Sequence, residues 1–458
     1  MYYYSCRLAS RNSSMTLTGT IGDMYGCKNA SCFAIMLASQ AVGVSRIHNV
    51  PKCTEVSALI VALKALGIRI YNEGKCIVVE GAGVGSFAAP HDGINAGNST
   101  FVAGSLCGML ATHPFASFVL KKESSRGNKG SREMGRLHMR EALSALTLIG
   151  ARFTKDDGTF PILVTGIEDG IPLLLENILE SETAKVATLL ASINVAGESC
   201  IRARRFLPTY MELLLEHFGA DIEQKGESHG GAAIYSTKIV GQTELFARDV
   251  KVFPSMSYVL YLIAAVLVTR DSEVTIEGVL VDERMRVIID IFIGMGGHIT
   301  ICSIENSVFS TIKVKSSRLS GVDISHEQAQ FLGDELSIVV VVCVLAEGAT
   351  KIFDVLNLED DTRVSEIVLK ALNDYGLKYR IEGGTVELYG IGDSKIAGNS
   401  ATNVMSDYKI GIPFLILHLV RCSSVRFRGH GKQWLLYFVE ILNRLLGEGS
   451  VVGEVIVG

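Results

Sequence analysis

The hydrophobic pattern of this chain repeats. Six times an apolar run with helical periodicity stops at glycine and a strand-like alternation begins: Leu63-Lys64-Ala65-Leu66-Gly67-Ile68, Leu146-Thr147-Leu148-Ile149-Gly150-Ala151, Leu215-Glu216-His217-Phe218-Gly219-Ala220, Ile293-Gly294-Met295-Gly296-Gly297, Leu372-Asn373-Asp374-Tyr375-Gly376-Leu377 and Asn443-Arg444-Leu445-Leu446-Gly447. The stopping glycines stand 83, 69, 77, 80 and 71 residues apart. Glycine suits the left-handed position that closes a helix, which explains the punctuation. A second mark falls about halfway through most units, where a strongly apolar helix passes through a short turn into an alternating strand, as between Leu37 and Ile47, Leu190 and Ile201, and Val344 and Ile352. Each unit reads helix, turn, strand, helix, glycine, strand. A unit of that kind has apolar faces that it can bury only against its copies. The expectation is an α/β (α+β) chain of six repeats, three before residue 250 and three after, with the polar segment 247–251 as a hinge.

Composition removes several function classes. With 458 residues, 48% hydrophobic and 20% charged, the chain can bury more than one core. Its net charge of -5 and pI near 6.1 provide no broad basic field, so a nucleic-acid partner is not expected and an anionic ligand needs a local cluster of Lys and Arg. The mean hydropathy of +0.32 raises the question of a membrane. The longest apolar run, Ser257 to Val268, falls well short of the roughly 20 residues of a span and reads as a buried helix. The opening residues lack the apolar stretch of a secretory signal, so a cytoplasmic location is expected.

Ten cysteines are scattered without a C-x-x-C pair or zinc-ligand spacing, which points to reduced thiols and no metal. Cys107 and Cys343 lie in apolar runs and read as small buried hydrophobes; Cys27, beside Lys28, reads as a core residue rather than a reactive thiol. The segment 123–133 reads as a mobile, basic surface loop, with a loop that closes over an anion as the sharper alternative.

Local motifs carry a family resemblance. Gly26-Cys27-Lys28-Asn29-Ala30-Ser31, Asn95-Ala96-Gly97-Asn98-Ser99-Thr100, Ser131-Arg132-Glu133-Met134-Gly135-Arg136-Leu137, Pro254-Ser255-Met256-Ser257, Arg318-Leu319-Ser320-Gly321-Val322-Asp323-Ile324 with Gly333-Asp334-Glu335, and Gly431-Lys432 follow one another in the order found in the enolpyruvyl transferases. The likeness runs from about residue 17 to 446. It implies a two-domain inside-out α/β barrel of six βαβαββ-type repeats, EPSP synthase-like, whose domains close over the substrate. On that pattern 1–26 plus 251–458 make one discontinuous domain and 27–250 the other, with hinges near 26 and 250. Two branches compete. Lys28-Asn29 and Asn49-Val50-Pro51-Lys52 look more like UDP-N-acetylglucosamine enolpyruvyl transferase, the enzyme of peptidoglycan synthesis. Met134-Gly135-Arg136-Leu137, Asp334-Glu335 and the length of 123–133, which has no Cys, resemble the EPSP synthase branch, which is preferred.

The resemblance implies transfer of the enolpyruvyl group of phosphoenolpyruvate to the 5-hydroxyl of shikimate 3-phosphate, with release of phosphate, on the shikimate route to aromatic amino acids. It implies small-molecule substrates, no cofactor, no metal and a monomer. Such chemistry needs preorganised cations and amide dipoles for phosphate and carboxylate, and a carboxylate with a Lys to move protons. The family pattern assigns Lys28, Asn29, Asn98, Arg132, Ser181, Thr183, Arg363, Lys409 and Lys432 to substrate binding, Asp334 to the base for the attacking hydroxyl, and Asp361 to a second acid, with Lys28 also near the reacting carbons. Lys409 stands where the family usually has Arg, which keeps the charge but not the planar fork.

Other positions depart further. Phe33 takes the place of an Arg that holds the acceptor, Phe101 to Gly104 replace a segment that usually ends in Arg, and Thr183 stands for a Gln. Asp360 and Val364 replace a Lys and an Arg, which Arg363 would offset after a one-residue slip. Losing cations from one anion site weakens it, so a catalytically impaired homologue that only binds anions is the alternative to an active transferase.

Overall fold

The computed structural model describes residues 2–8, 16–122, 129–229, 232–357, 362–394, 401–402, 408–421, 424–428, 432–446 and 451–457. The chain divides into two compact units, Met1–Met24 with Pro254–Gly458, and Tyr25–Phe253. Each is built from four-stranded sheets around buried helices.

The buried helices explain the hydrophobic runs. Leu336–Leu345 carries four consecutive valines from Val339 to Val342, and β-branched residues lower helix propensity by several tenths of a kcal/mol each. All ten of its residues are buried. Each large apolar side chain so enclosed contributes about 1.5–3 kcal/mol, which outweighs the propensity deficit. Thr100–Leu110, Glu182–Ser192 and Met256–Val268 are likewise enclosed on nearly every face. The sheets lie outside them, with strands such as Glu273–Leu280 alternating between buried and accessible positions. This is the inside-out α/β arrangement that the family resemblance implies.

One topology recurs in all six sheets. In the third repeat Leu174–Leu179 runs parallel to Gly197–Arg204, which pairs antiparallel with Ala232–Gly241, which pairs antiparallel with Asp221–His229. Three sheets are completed from elsewhere in the chain. Tyr2–Leu8 fills the fourth-strand position of the sixth sheet, between Ser424–Arg428 and Val451–Val457. Thr18–Ile21 pairs with Glu273–Leu280 as the opening strand of the fourth repeat, and Asp249–Lys251 pairs with Val42–His48 as the opening strand of the first. The backbone therefore leaves one unit after a strand of the fourth repeat and returns only after laying down a strand of the first.

That pairing corrects the expected hinge. Residues 249–251 form a parallel strand and Ala247 N–H donates to Val42 O at 3.1 Å, so 247–251 belongs to a sheet. The polar residues there mark a sheet edge, and the crossings lie at Met24–Tyr25 and Phe253–Pro254. A second correction concerns 123–133. Helix Lys129–Thr147 takes up its second half, where Met139, Ala142, Leu143 and Leu146 supply a buried stripe; 123–128 lie outside the described residues.

The helix-ending glycines behave as their spacing suggests. Gly67, Gly150, Gly219, Gly296 and Gly376 all have positive φ, between +66° and +111°, while Gly447 lies outside the described residues. In four repeats the closing hydrogen bond is also the same, from Ile68 to Leu63, Ala220 to Leu215, Gly297 to Phe292 and Leu377 to Leu372. Another recurrent glycine escaped the sequence pattern. A Cβ on Gly81, Gly166, Gly241 or Gly390 would come within 2.3 Å of backbone oxygens at the end of its repeat's first helix. The last strand of the repeat crosses that helix end in direct backbone contact, and only glycine allows it.

Candidate active site

In the Tyr25–Phe253 unit, three buried helices begin differently, and the first turns of Lys28–Gln40 and Glu182–Ser192 are joined by Asn29 and Glu182. Ser99 caps Thr100–Leu110 by accepting from Val102 N–H at 3.2 Å, and Ser181 caps Glu182–Ser192 by accepting from Ala184 N–H at 3.1 Å. Helix Lys28–Gln40 begins after Cys27 with no side-chain cap. Uncapped first-turn amides and the positive end of a helix dipole favour an anion at that position.

Lys28 and Asn29 project from this turn. The Lys28 ammonium donates to Glu55 Oε1 at 2.9 Å, with both side chains partly exposed. Burial alone would raise the Glu55 carboxyl, but the charge and hydrogen bond of Lys28 hold it below the usual carboxylate value. Asn29 Nδ2 donates to Glu182 Oε2 at 3.1 Å, and the Tyr210 hydroxyl donates to Glu182 Oε1 at 2.5 Å. Glu141 accepts from the backbone N–H groups of Glu180 at 2.6 Å and Ser181 at 3.0 Å, fixing the entry to the third helix. Burial pushes the Cys27 thiol up to about 11, so it stays protonated and inert at neutral pH. Cys107 and Cys343 are fully enclosed, each pushed up to about 12 by burial.

The departures noted in the sequence are packing features here. Phe33 is completely buried, edge-on to Tyr210 at 6.4 Å, and Tyr210 leans on Phe253 at 5.9 Å. Thr183 is 4% exposed and sits against Gly104. Asn98 is exposed just ahead of the Ser99 cap. Asn49 has a structural task. With φ +63° it donates through Nδ2 to Val252 O at 2.8 Å and accepts from Gly26 N–H at 3.1 Å, tying both strands of the crossing to the first sheet. Arg132 falls in a different group from Lys28. It lines a cleft of about 340 Å³ with Arg136, Arg140 and Asp157, along the exposed face of helix Lys129–Thr147.

The other unit places Asp334 in the short helical turn Gly333–Glu335 that feeds Leu336–Leu345. Asp334 and the ammonium of Lys409 form an ion pair. Lys409 is also tethered through its backbone, since Ser337 Oγ donates to Lys409 O at 2.5 Å. The turn itself is gripped by Arg284, which donates to Phe331 O at 3.0 Å and Leu332 O at 2.9 Å. Behind Asp334 lies Glu335, only 2% exposed, accepting from Ser257 Oγ at 2.7 Å. Burial pushes the Glu335 carboxyl up, against the charges of Lys409 and Arg284. Asp361 lies outside the described residues, as do the side chains of Arg363 and Lys432, which belong to helices Thr362–Asp374 and Lys432–Leu446.

The structure thus joins Asp334 to Lys409, and Asn29 to the turn that holds Ser181 and Thr183. It adds Glu55, Glu182 and Tyr210, which the motifs did not single out, and gives Glu335, quoted only within its motif, a buried partner in Ser257. Glu182 adjoins named residues, but a carboxylate in a first helical turn reads first as a partner of the helix dipole. Tyr210 reaches the group from another helix, a relation without a sequence signal. Among the described residues no group of three or more His, Cys, Asp or Glu could hold a metal, and no helix is long and apolar enough to cross a membrane.

Known proteins share sequence and fold with this chain. The family model described as EPSP synthase (3-phosphoshikimate 1-carboxyvinyltransferase) matches residues 12–427. A 3-phosphoshikimate 1-carboxyvinyltransferase of Rhodospirillum rubrum is 30% identical over 90% of both chains, and one of Granulibacter bethesdensis is 29% identical over 87% of both. The fold is similar to that of EPSP synthase from Acinetobacter baumannii, with a TM-score of 0.80 over 99% of this chain and all of that one at 20% identity. It is also similar to the enolpyruvyl transferase NikO from Streptomyces tendae, with a TM-score of 0.65 over the whole of both chains at 15% identity.

Proposed function

The chain belongs to the EPSP synthase (3-phosphoshikimate 1-carboxyvinyltransferase) family, and from that premise we propose that it moves the enolpyruvyl group of phosphoenolpyruvate to the 5-hydroxyl of shikimate 3-phosphate. The observation that carries the reading is the Asp334–Lys409 pair at the entry to a buried helix. Asp334 is half exposed, so it can reach a substrate hydroxyl, and the ion pair with Lys409 orients it. Asp334 takes the proton of the acceptor hydroxyl as its oxygen bonds to C2 of phosphoenolpyruvate, while C3 gains a proton and becomes a methyl group. The C2–O bond to phosphate then breaks, the departing phosphate carries off the proton held by Asp334, and C3 returns a proton to the general acid that supplied one, which yields the enol ether and inorganic phosphate. Lys28, at an uncapped helix start, is assigned to the phosphate or carboxylate of phosphoenolpyruvate, and must exchange Glu55 for that anion. Arg132 and Lys432 are each assigned to substrate from their places in the family pattern.

Phosphorus NMR tests the proposal. With phosphoenolpyruvate and shikimate 3-phosphate, the phosphoenolpyruvate signal is expected to convert to inorganic phosphate while the ester phosphorus persists in a product with new vinyl protons. Phosphate release with UDP-N-acetylglucosamine alone would assign the chain to the other branch. No release with either acceptor, from folded protein, would rule out both.

A further inference from the structure

The unit made of Met1–Met24 and Pro254–Gly458 holds a concavity of about 460 Å³ that the proposed reaction does not use. That volume is ample for a small organic molecule. Its floor is the far end of two buried helices: Leu267 and Val268 close Met256–Val268, and Leu345 closes Leu336–Leu345. Asp334 stands ahead of the first turn of the second helix, about 15 Å of helix away, so the concavity is separate from the Asp334–Lys409 pair. Neither helix has a basic residue in its last turn. The negative ends of two helix dipoles are thus left at the floor, where an ammonium group is favoured. Between Val268 and Arg270, Thr269 is only 4% exposed, and its hydroxyl finds no hydrogen-bond partner among the described residues.

Charges of both signs stand around the rim. Glu347 N–H donates to Leu319 O at 2.8 Å and Ser320 bridges to Glu347, so Arg318 and Glu347 rise from adjoining backbone. They nevertheless form no ion pair with each other or with any other described residue. Arg270 does, with Asp393 at 2.7 Å, and that pair ties the turn after Met256–Val268 to the segment after Thr385–Tyr389. Opposite charges that flank a hollow without closing on each other complement a molecule that carries both. An anion alone would face Asp271 and Glu347, and a cation alone would face Arg318. The apolar part of the lining, from Leu267, Leu319 and Leu345, suits an aliphatic chain.

We propose that this concavity binds a zwitterionic α-amino acid with an aliphatic side chain. Arg318 takes the carboxylate, Glu347 and the two helix ends take the ammonium, and the leucines take the side chain. The motif from Arg318 to Ile324, whose Arg has no task in the reaction, thereby supplies the carboxylate clamp. The proposal does not depend on the proposed reaction.

Calorimetry on the full chain tests it with three probes at millimolar concentration: L-leucine, 4-methylpentanoate, which lacks the ammonium, and 3-methylbutylamine, which lacks the carboxylate. L-leucine is expected to bind, and each truncated probe at least about threefold more weakly. R318Q should weaken L-leucine by at least about threefold and leave 3-methylbutylamine no weaker, and E347Q should weaken L-leucine likewise and leave 4-methylpentanoate no weaker. Both side chains are exposed, circular dichroism verifies folding, and the comparison of probes on the unaltered chain needs no variant. Binding of L-leucine should persist when shikimate 3-phosphate is saturating. No binding of L-leucine, equal binding of the three probes, an L-leucine affinity unchanged by either variant, or competitive displacement by shikimate 3-phosphate would overturn the proposal.

Discussion

Gly104 and Thr183 meet where helices Thr100–Leu110 and Glu182–Ser192 cross, so closely that a Cβ at Gly104 would lie 2.4 Å from Thr183 Cγ2. One turn on, a Cβ at Gly108 would lie 2.2 Å from Ala187 O. The two sequence departures at 104 and 183 are therefore a single packing solution: glycine lets the helices close, and threonine fills the space that remains.

Gly104→Ala should destabilise the chain by about 1–3 kcal/mol through overpacking, even though alanine is the better helix former. Gly104→Ala with Thr183→Ser removes the methyl group in the way and should recover at least half of the loss. Denaturant midpoints of the singles and the double measure the coupling; additive losses would contradict the contact.

Lys185 and Glu212 form an ion pair at 2.9 Å with side chains 1% and 7% exposed, and Lys185 also donates to Pro208 O at 2.7 Å. Lys185→Met strands a buried carboxylate and should cost about 3–5 kcal/mol. Adding Glu212→Leu should return most of it, since no unpaired charge is left. Urea melts of the three proteins check this, and a double variant as unstable as the single would count against it.

Burial pushes His418 down to about 4, with its Nε2 against the Tyr375 hydroxyl. The folded state resists a proton that the unfolded chain accepts near pH 6.5, so this contribution is whole above that pH. It falls as pH drops toward about 4 and then levels off, a loss of roughly 3 kcal/mol at most. His418→Gln keeps a polar partner for Tyr375 without titrating. Its Tm should decline less than that of the parent between pH 7 and 4.5, and parallel declines would refute the assignment.

Much of the fold is legible along the chain because helix endings and buried helices leave local traces: Gly67, Gly150, Gly219, Gly296 and Gly376 are fixed by one backbone conformation, and Leu336–Leu345 by continuous apolarity. The strands that complete distant repeats leave none. Tyr2–Leu8 and Asp249–Lys251 join sheets built far away in sequence, and 247–251 looks like a linker because a short edge strand is polar. The site divides similarly. Asp334, Glu335, Lys409, Lys28 and Asn29 stand in local motifs, whereas Glu182 and Tyr210 matter through contacts between helices. Phe33 was visible as a departure, but its burial against Tyr210 was not.

The Asp334–Lys409 pair is the centre of the account, and the rate of phosphate release from phosphoenolpyruvate with shikimate 3-phosphate tests it most directly, measured for the unaltered chain and Asp334→Asn with both substrate affinities determined in parallel. Loss of a positioned general base predicts a rate at least about 100-fold lower in the variant with affinities within a few fold. Equal rates in the two proteins, or no release by a folded unaltered chain that binds both substrates, would contradict it.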